Sequence, residues 1–306
     1  MADTPVVASL AIPALPTPAS SLSSTPFSRL LHLRWRERSG RWALLFLALL
    51  VAAALAAPWL APFDPARPLD PGAGAAGPSL SHWFGTDLTS RDVLSRMLYG
   101  SRVSLAVASL AALLASVVGL LYGGVAGFAG GRTDGAMMRL IDALLAIPRI
   151  LLLLTVLALW GTVNVRALIL LIGLTGWFSV ARLARAEASA LREREFVLAA
   201  RALGAAPWRV FVRYVLPHAT GPVLVAATIA IGQVVVLEAG LSYLGYGVPQ
   251  PTPTWGNIIR DGRETIASTW WLTVFPGLAL VGTALAVNTV ADRLRAALNP
   301  RQLHAP

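Results

Sequence analysis

The side chains able to do covalent or metal chemistry are few and scattered. The chain has four histidines, His32, His82, His218 and His304, and no cysteine. No HExxH pair or other ligand spacing joins the histidines, so no metal site is expected. Disulfides, thiolate catalysis and Cys-ligated metals are excluded outright. Serines and threonines occur within the apolar runs, but no general base accompanies them, and no catalytic residue is expected. All 25 basic residues are arginine. Without lysine a GxxxxGK[ST] phosphate loop cannot exist. The chain therefore needs no cofactor of its own, and any ATP and magnesium it depends on must sit on partner subunits.

One basic, helix–turn–helix-like stretch stands out between two long apolar runs, Glu195–Pro217, EFVLAARALGAAPWRVFVRYVLP. Gly204 breaks a first helical pattern, and Pro207 can open a second at its first turn, where a missing N–H costs nothing. Phe196, Ala199, Ala200 and Leu203 recur at helical spacing, which predicts one smooth face of small residues. Val210, Phe211, Tyr214 and Val215 form an apolar face of the second helix, with Arg209 and Arg213 on another. Pro217 is expected to end it. Such a segment suits docking to a cytosolic partner.

The elements that must carry this stretch follow from composition. The 306 residues are 56% hydrophobic and 13% charged, with a mean hydropathy of +0.66. That charged fraction is about half that of a soluble protein. Six uncharged or nearly uncharged runs are long enough to cross ~30 Å of hydrocarbon: 42–63, 103–131, 147–165, 167–186, 219–241 and 271–291. The expected fold is an all-α polytopic membrane protein with six transmembrane helices and a cytosolic loop (187–218) between spans four and five. Residues 1–28 read as a disordered Pro/Ser/Thr/Ala-rich tail, and 29–63 as a basic segment leading into the first span. The run 42–63 exceeds a signal-peptide core and is read as uncleaved. Residues 64–102 form an extracytoplasmic loop whose end, DLTSRDVLSRMLYGSR, predicts an amphipathic helix capped by Asp87. The permease-like core of five spans is 103–291, and 292–306 is a basic tail.

Eighteen of the 25 arginines fall on the side of both termini and the 187–218 loop, against seven opposite. By the positive-inside rule that side is the cytosol. The net charge of +10 is thereby read as loops facing anionic membrane lipid, with no nucleic-acid partner. In the second span Gly119 and Gly123 form a small-xxx-small pair, which predicts close helix packing. Arg149 stands at the edge of the third span, where it could snorkel to the interface.

Within the spans the polar candidates are Glu238, with Gln233 and Asn288. An intramembrane carboxylate is a candidate for a translocation path, and equally for a capping or inter-helix hydrogen bond. Two rivals to a partner-driven permease remain: an ion-coupled secondary transporter and a non-transporting structural subunit. The first would need ionisable residues deep in the spans and paired broken helices. The second would have little use for so long an exposed loop.

AARALGAAPWRVFVRYVLP resembles the EAA loop of ATP-binding-cassette importer permeases. FGTDLTSRDVLSRMLYGSRVSL, GGRTDGAMMRLIDALLAIP, LSYLGYGVPQPTPTWGNII and WWLTVFPGLAL with NTVADRLRAALNPR are similar to one branch, the C-type transmembrane subunit of the dipeptide/oligopeptide/nickel permease family. The resemblance runs from Arg29 to Arg301. It implies a bacterial inner-membrane permease that passes small peptides, or solutes such as nickel chelates, into the cytosol by alternating access. The partners implied are a homologous second permease subunit, two ATPase subunits and an extracytoplasmic solute-binding protein. Ala199, Ala200 and Gly204 match the small positions of the loop, and Pro217 its terminal proline. Leu198 stands where the loop's glutamate is often found, and Glu195, one turn earlier, is the nearest acid. The loop Tyr246–Trp255 could contact the binding protein. Equally, it could lie at the interface, with Trp255, Trp270 and Trp271 in an aromatic belt.

Overall fold

The computed structural model describes residues 38–298, all of them helix or connecting loop apart from a Thr86–Asp92 bridge. The expected tail at 1–28, Arg29, Arg34, Arg36 and the last residues of the chain lie outside that range. Its centre is a pair of long helices, α3 (Val93–Ala129) and α6 (Val165–Arg192). Lipid is as apolar as leucine, so helices in a membrane associate through close van der Waals packing rather than hydrophobic burial. Glycines at 119, 123 and 127 supply that closeness. A Cβ on Gly119 would come 2.6 Å from that of Val180, and one on Gly123 or Gly127 would strike the backbone of Ala181 or Arg185. The expected small-residue packing face is therefore the seam between α3 and α6.

Shorter helices dress this pair. α1 (Arg38–Leu55) and the single turn α2 (Ala57–Leu60) replace the unbroken run expected over 42–63, and the break at Ala56 falls just ahead of Pro58. Phe46 of α1 lies against Gly282 of the last helix. α4 (Gly131–Leu145) and α5 (Arg149–Trp160) meet at a 72° bend around Pro148, and the helix found within the expected third span, 147–165, is the 12 residues of α5. Arg182 and Arg185 of α6 pair with Asp142 and Asp134 and hold α4 alongside. α7 (Glu195–Ala202) and α8 (Pro207–Val210) form the hairpin. A π-turn, Phe211–Val215, then runs into α9 (Leu216–Tyr243), followed by α10 (Trp255–Asp261) and α11 (Trp271–Leu298). Among the described residues, four helical stretches are long and apolar enough to cross a membrane, α3, α6, 207–243 and α11; the bent α4–α5 pair is a fifth if it is one broken span.

The loop before α3 corrects two expectations. The helix starts at Val93 and runs unbroken through position 102, so the amphipathic helix and the second span are one element. Its cap is Asp92, which accepts from the Ser95 amide at 2.8 Å, and not Asp87. Asp87 folds back on its own loop, accepting from the amides of Thr89 and Arg91 at 2.8 and 3.0 Å. Its other oxygen takes Arg91 Nε at 2.7 Å and Arg96 Nη1. Arg96 also reaches Asp261 at 2.9 Å, and Arg91 reaches Gln250 Oε1 at 2.9 Å. These contacts clasp the 64–92 loop to the loop around α10. Two of the three tryptophans of that region are not belt residues. Trp255 and Trp271 are buried, donating to the carbonyls of Met97 and Thr86 at 3.3 and 3.0 Å, while Trp270 is exposed.

Candidate functional site

At the opposite end of α6, the hairpin is built from strong local signals. Glu195 lies in the first turn of α7, where its charge complements the helix dipole. The helix ends in a Schellman motif: the Ala205 amide donates to Ala200 O at 3.1 Å and Gly204 N–H to Arg201 O at 2.9 Å. Gly204 adopts the left-handed φ of +81° that this motif demands. Pro207 occupies the first turn of α8, as expected.

The hairpin has an inner and an outer face. Val197, Val210 and Val215 are buried with Ala188 of α6, and Phe128, Ala200, Phe211 and Tyr214 pack around them. Phe128 from the end of α3 lies 5.5 Å from Phe211, and the Arg201 guanidinium covers the Phe128 ring at 4.8 Å. The faces of the second helix are those expected. In α7 the stripe is rotated from the expected one: Val197 points inward, Ala200 is half-buried, and Ala199 is exposed. Both stripes fit an eight-residue apolar helix, and only the position of α6 decides between them.

Leu198, Leu203 and Trp208 point outward, 51%, 89% and 66% exposed. A Cβ on Gly204 would meet nothing within 4 Å. These three apolar side chains are a feature of the hairpin that its own subunit does not cover.

Pro217 does not end the second helix. It sits in the first turn of α9, directly after the π-turn, in which the Leu216 amide reaches back to Phe211 O. A proline ring clashes with the carbonyl four residues earlier and offers no N–H. Widening the turn accommodates both defects without breaking the rod. The chain is consequently helical from Pro207 to Tyr243, and only Glu193 and Arg194 separate α6 from α7.

The span candidates are placed apart from one another. Glu238 is fully buried, with Ser242 Oγ donating to one carboxyl oxygen at 2.7 Å and Ser104 Oγ to the other at 3.1 Å. Ser104 Oγ also accepts from the Trp255 amide at 3.3 Å, so the group joins α3, α9 and α10. Gln233 and Asn288 are exposed on α9 and α11. Arg149, expected to snorkel to the interface, instead donates its guanidinium to Ile172 O of α6 at 2.7 Å.

The hairpin and the α3–α6 glycine seam both fall within a stretch that matches a known family. Residues 115–304 match the binding-protein-dependent transport system inner membrane component family. The chain belongs to it. Among relatives, the dipeptide transport system permease protein DppC of Bacillus subtilis is 38% identical over 73% of this chain and 70% of its own length. A Brucella suis protein provisionally named a peptide permease is 36% identical over 91% of this chain and 92% of its own. A second from that organism, provisionally named a peptide transport system permease, is 39% identical over 87% and 89%. The chain is thus an inner-membrane, multi-pass permease component of a binding-protein-dependent transporter, and the hairpin lies inside the matched region.

Proposed function

We propose that this permease component imports small peptides, or related solutes such as nickel chelates, and that the α7–α8 hairpin is where ATP hydrolysis on partner subunits enters the chain. The peptide reading rests on the relatives' names and on the five motifs. The partners are a homologous second permease subunit, two ATPase subunits carrying ATP and magnesium, and an extracytoplasmic solute-binding protein. Both termini and the hairpin lie in the cytosol, as the arginine distribution argues. Six spans result if α1–α2 crosses as one and α4–α5 as another.

The observation that carries the coupling role is the outward apolar face of a hairpin whose second helix runs without a break into α9. Leu198, Leu203 and Trp208 are exposed where a solvated loop would bear charge. Ala199 and Gly204 leave room beside them for a partner's groove. Ala200 and Pro217 act from behind, Ala200 seating α7 on α6 and Pro217 shaping the joint with α9. Glu195 is exposed in the first turn and supplies the acid that Leu198 lacks. Closure of the ATPase pair would shift α6 and α9 together through this hairpin, giving alternating access. Gln233 and Asn288, exposed within spans, suit a face turned towards the second permease or the path rather than lipid. Glu238, with both oxygens engaged inside the subunit, suits a tie better than an ion-coupling site.

The test is Leu203→Glu in the assembled transporter. The side chain touches little of its own subunit, so the stability change should stay within about 0.5 kcal/mol. ATPase co-purification should fall about tenfold or more, as for an anchor residue at an interface. Wild-type ATPase recovery and transport in that variant would overturn the docking role.

A further inference from the structure

The bend between α4 and α5 encloses a cavity of about 140 Å³. Leu145, Pro148 and Leu152 line one side, and Thr175, Gly176 and Ser179 of α6 the other. Arg149 stands in its wall, donating to Ile172 O at 2.7 Å and to Thr175 Oγ1 at 3.4 Å. Among the described residues no carboxylate pairs with it; its partners are one carbonyl and one hydroxyl. Gly176 makes the space for the guanidinium, since a Cβ there would lie 2.8 Å from Arg149 Nη2.

Its depth gives the charge meaning. α6 is uncharged between Arg166 and Arg182, and the contacts of Arg149 fall at Ile172–Gly176, the middle of that stretch. α5 has 12 residues, about 18 Å at 1.5 Å per residue. Its start thus lies close to halfway through a hydrocarbon layer of ~30 Å. This placement needs no assumption about which side is cytosolic. A cation at that depth without a counter-charge marks a substrate or ion path. Lipid phosphates sit at the surface, out of its reach. Arg149 is the first residue of α5, whose N-terminal end carries the positive side of the helix dipole and favours negative charge, as in transporters with interrupted helices. A single water needs about 10–15 Å³, so the cavity admits a small group of atoms such as the end of a peptide.

We propose that Arg149 and the α5 start form a mid-membrane receptor for the carboxylate of the translocating solute, with the guanidinium pairing to it as the solute passes the bend. The proposal deepens the peptide-import reading and rests on it. The cavity supplies no second charge, so the contact is one ion pair that can form and release.

The transporter, assembled from this chain, the second permease and the ATPase subunits, is placed in nanodiscs of phosphatidylcholine. Its thermal midpoint is read with a mixture of free-acid dipeptides, the same mixture as C-terminal amides, and inorganic phosphate. The free acids should raise the midpoint, and the amides and phosphate should not. Arg149→Gln should abolish the shift, Arg149→Lys should keep part of it, and Gly176→Ala should weaken it by displacing the guanidinium. Glutamine retains a donor for Ile172 O, so ATPase co-purification in that variant should match wild type. Equal shifts with amides, a shift that survives Arg149→Gln, or no shift at all would overturn the receptor. An equal shift with phosphate, or one obtained from anionic lipid alone, would make it a general anion site and overturn the solute assignment. In vesicles supplied with saturating binding protein, Arg149→Gln should slow peptide uptake about tenfold, the loss expected for one charge-assisted contact; unchanged uptake would also count against it. Wild-type vesicles that import no peptide would instead sink the peptide-import reading, while the midpoint measurements still report on the site.

Discussion

The two ends of the α3–α6 pair are finished in opposite ways. At the loop end, Asp87, Arg91, Arg96 and Asp261 satisfy one another, and Trp255 and Trp271 are buried behind them. Positive and negative charges balance within that clasp: Asp87 pairs locally with Arg91 and Arg96, and the same arginines reach Gln250 and Asp261, more than a hundred residues away. At the hairpin end the core is apolar, Val197, Val210 and Val215 against Ala188, and Leu198, Leu203 and Trp208 are left uncovered. The buried charges of the loop end are satisfied within the subunit. The hairpin end leaves an apolar surface open beside its core. A permease that must hold a fixed mouth while an attached motor moves its far end would be built in this way.

Breaking the closed end should have the largest effect on the fold. Arg96 is 1% exposed and joins Asp87 to Asp261. Arg96→Met leaves two buried or half-buried carboxylates short of a partner, which costs about 3 kcal/mol or more. A denaturation midpoint in detergent should drop accordingly, while ATPase binding per folded molecule stays as in wild type. A loss below about 0.5 kcal/mol, the level of an ordinary surface change, would show that the clasp is decorative and the contrast between the ends false.

The open end should respond in function before stability. Gly204→Ala places an L-residue at φ +81° with no steric neighbour, so strain alone costs about 1–2 kcal/mol. Amide exchange in α7 should quicken, and ATPase affinity should fall only a few-fold. Gly204→Leu carries the same strain plus bulk on the outer face. If coupling depends on fit, Leu should abolish transport where Ala only weakens it. Identical behaviour of the two would reduce the role of Gly204 to its backbone.

The open end was the more legible in sequence, and for a physical reason. The Gly204 stop, the Pro207 start and the apolar set Val210, Phe211, Tyr214 and Val215 are local signals, and α7 and α8 form from them directly. The glycines at 119 and 123 declared close packing, though not that α6 was the neighbour. The loop end was misread because its contacts are long-range. Asp87 and Asp92 are equivalent helix caps by residue type; Arg91 and Arg96 claim Asp87, and they are held in place by Asp261 and Gln250, which only the fold brings near. Trp255 and Trp271 look like belt residues until the carbonyls of Met97 and Thr86 are placed beside them. Pro217 reads as a terminator because a helix that widens by one residue leaves no mark in periodicity. Arg149 sat at the edge of an apolar run, and its depth is set by a helix whose position no pattern reports.

The smallest effect is a pH dependence confined to the closed end. Burial alone would raise the pKa of Asp87, but Arg96, the Arg91 amide and guanidinium, and the Thr89 hydroxyl outweigh it and hold the carboxyl below its ordinary value of 3.8. A group whose folded pKa is depressed stabilises the fold above its unfolded pKa, and that contribution is lost as pH falls through the folded value. The clasp should therefore be at full strength from neutral pH down to about 4, where a free aspartate begins to protonate, and weaken below that. Titrating the thermal midpoint of wild type against Asp87→Asn isolates the group from the chain's other carboxylates. The variant should be less stable at pH 6, and the gap should narrow as pH drops below about 4. A gap that stays constant across that range would mean Asp87 acts through its backbone turn alone, and the arginines would then be held by Asp261 without it.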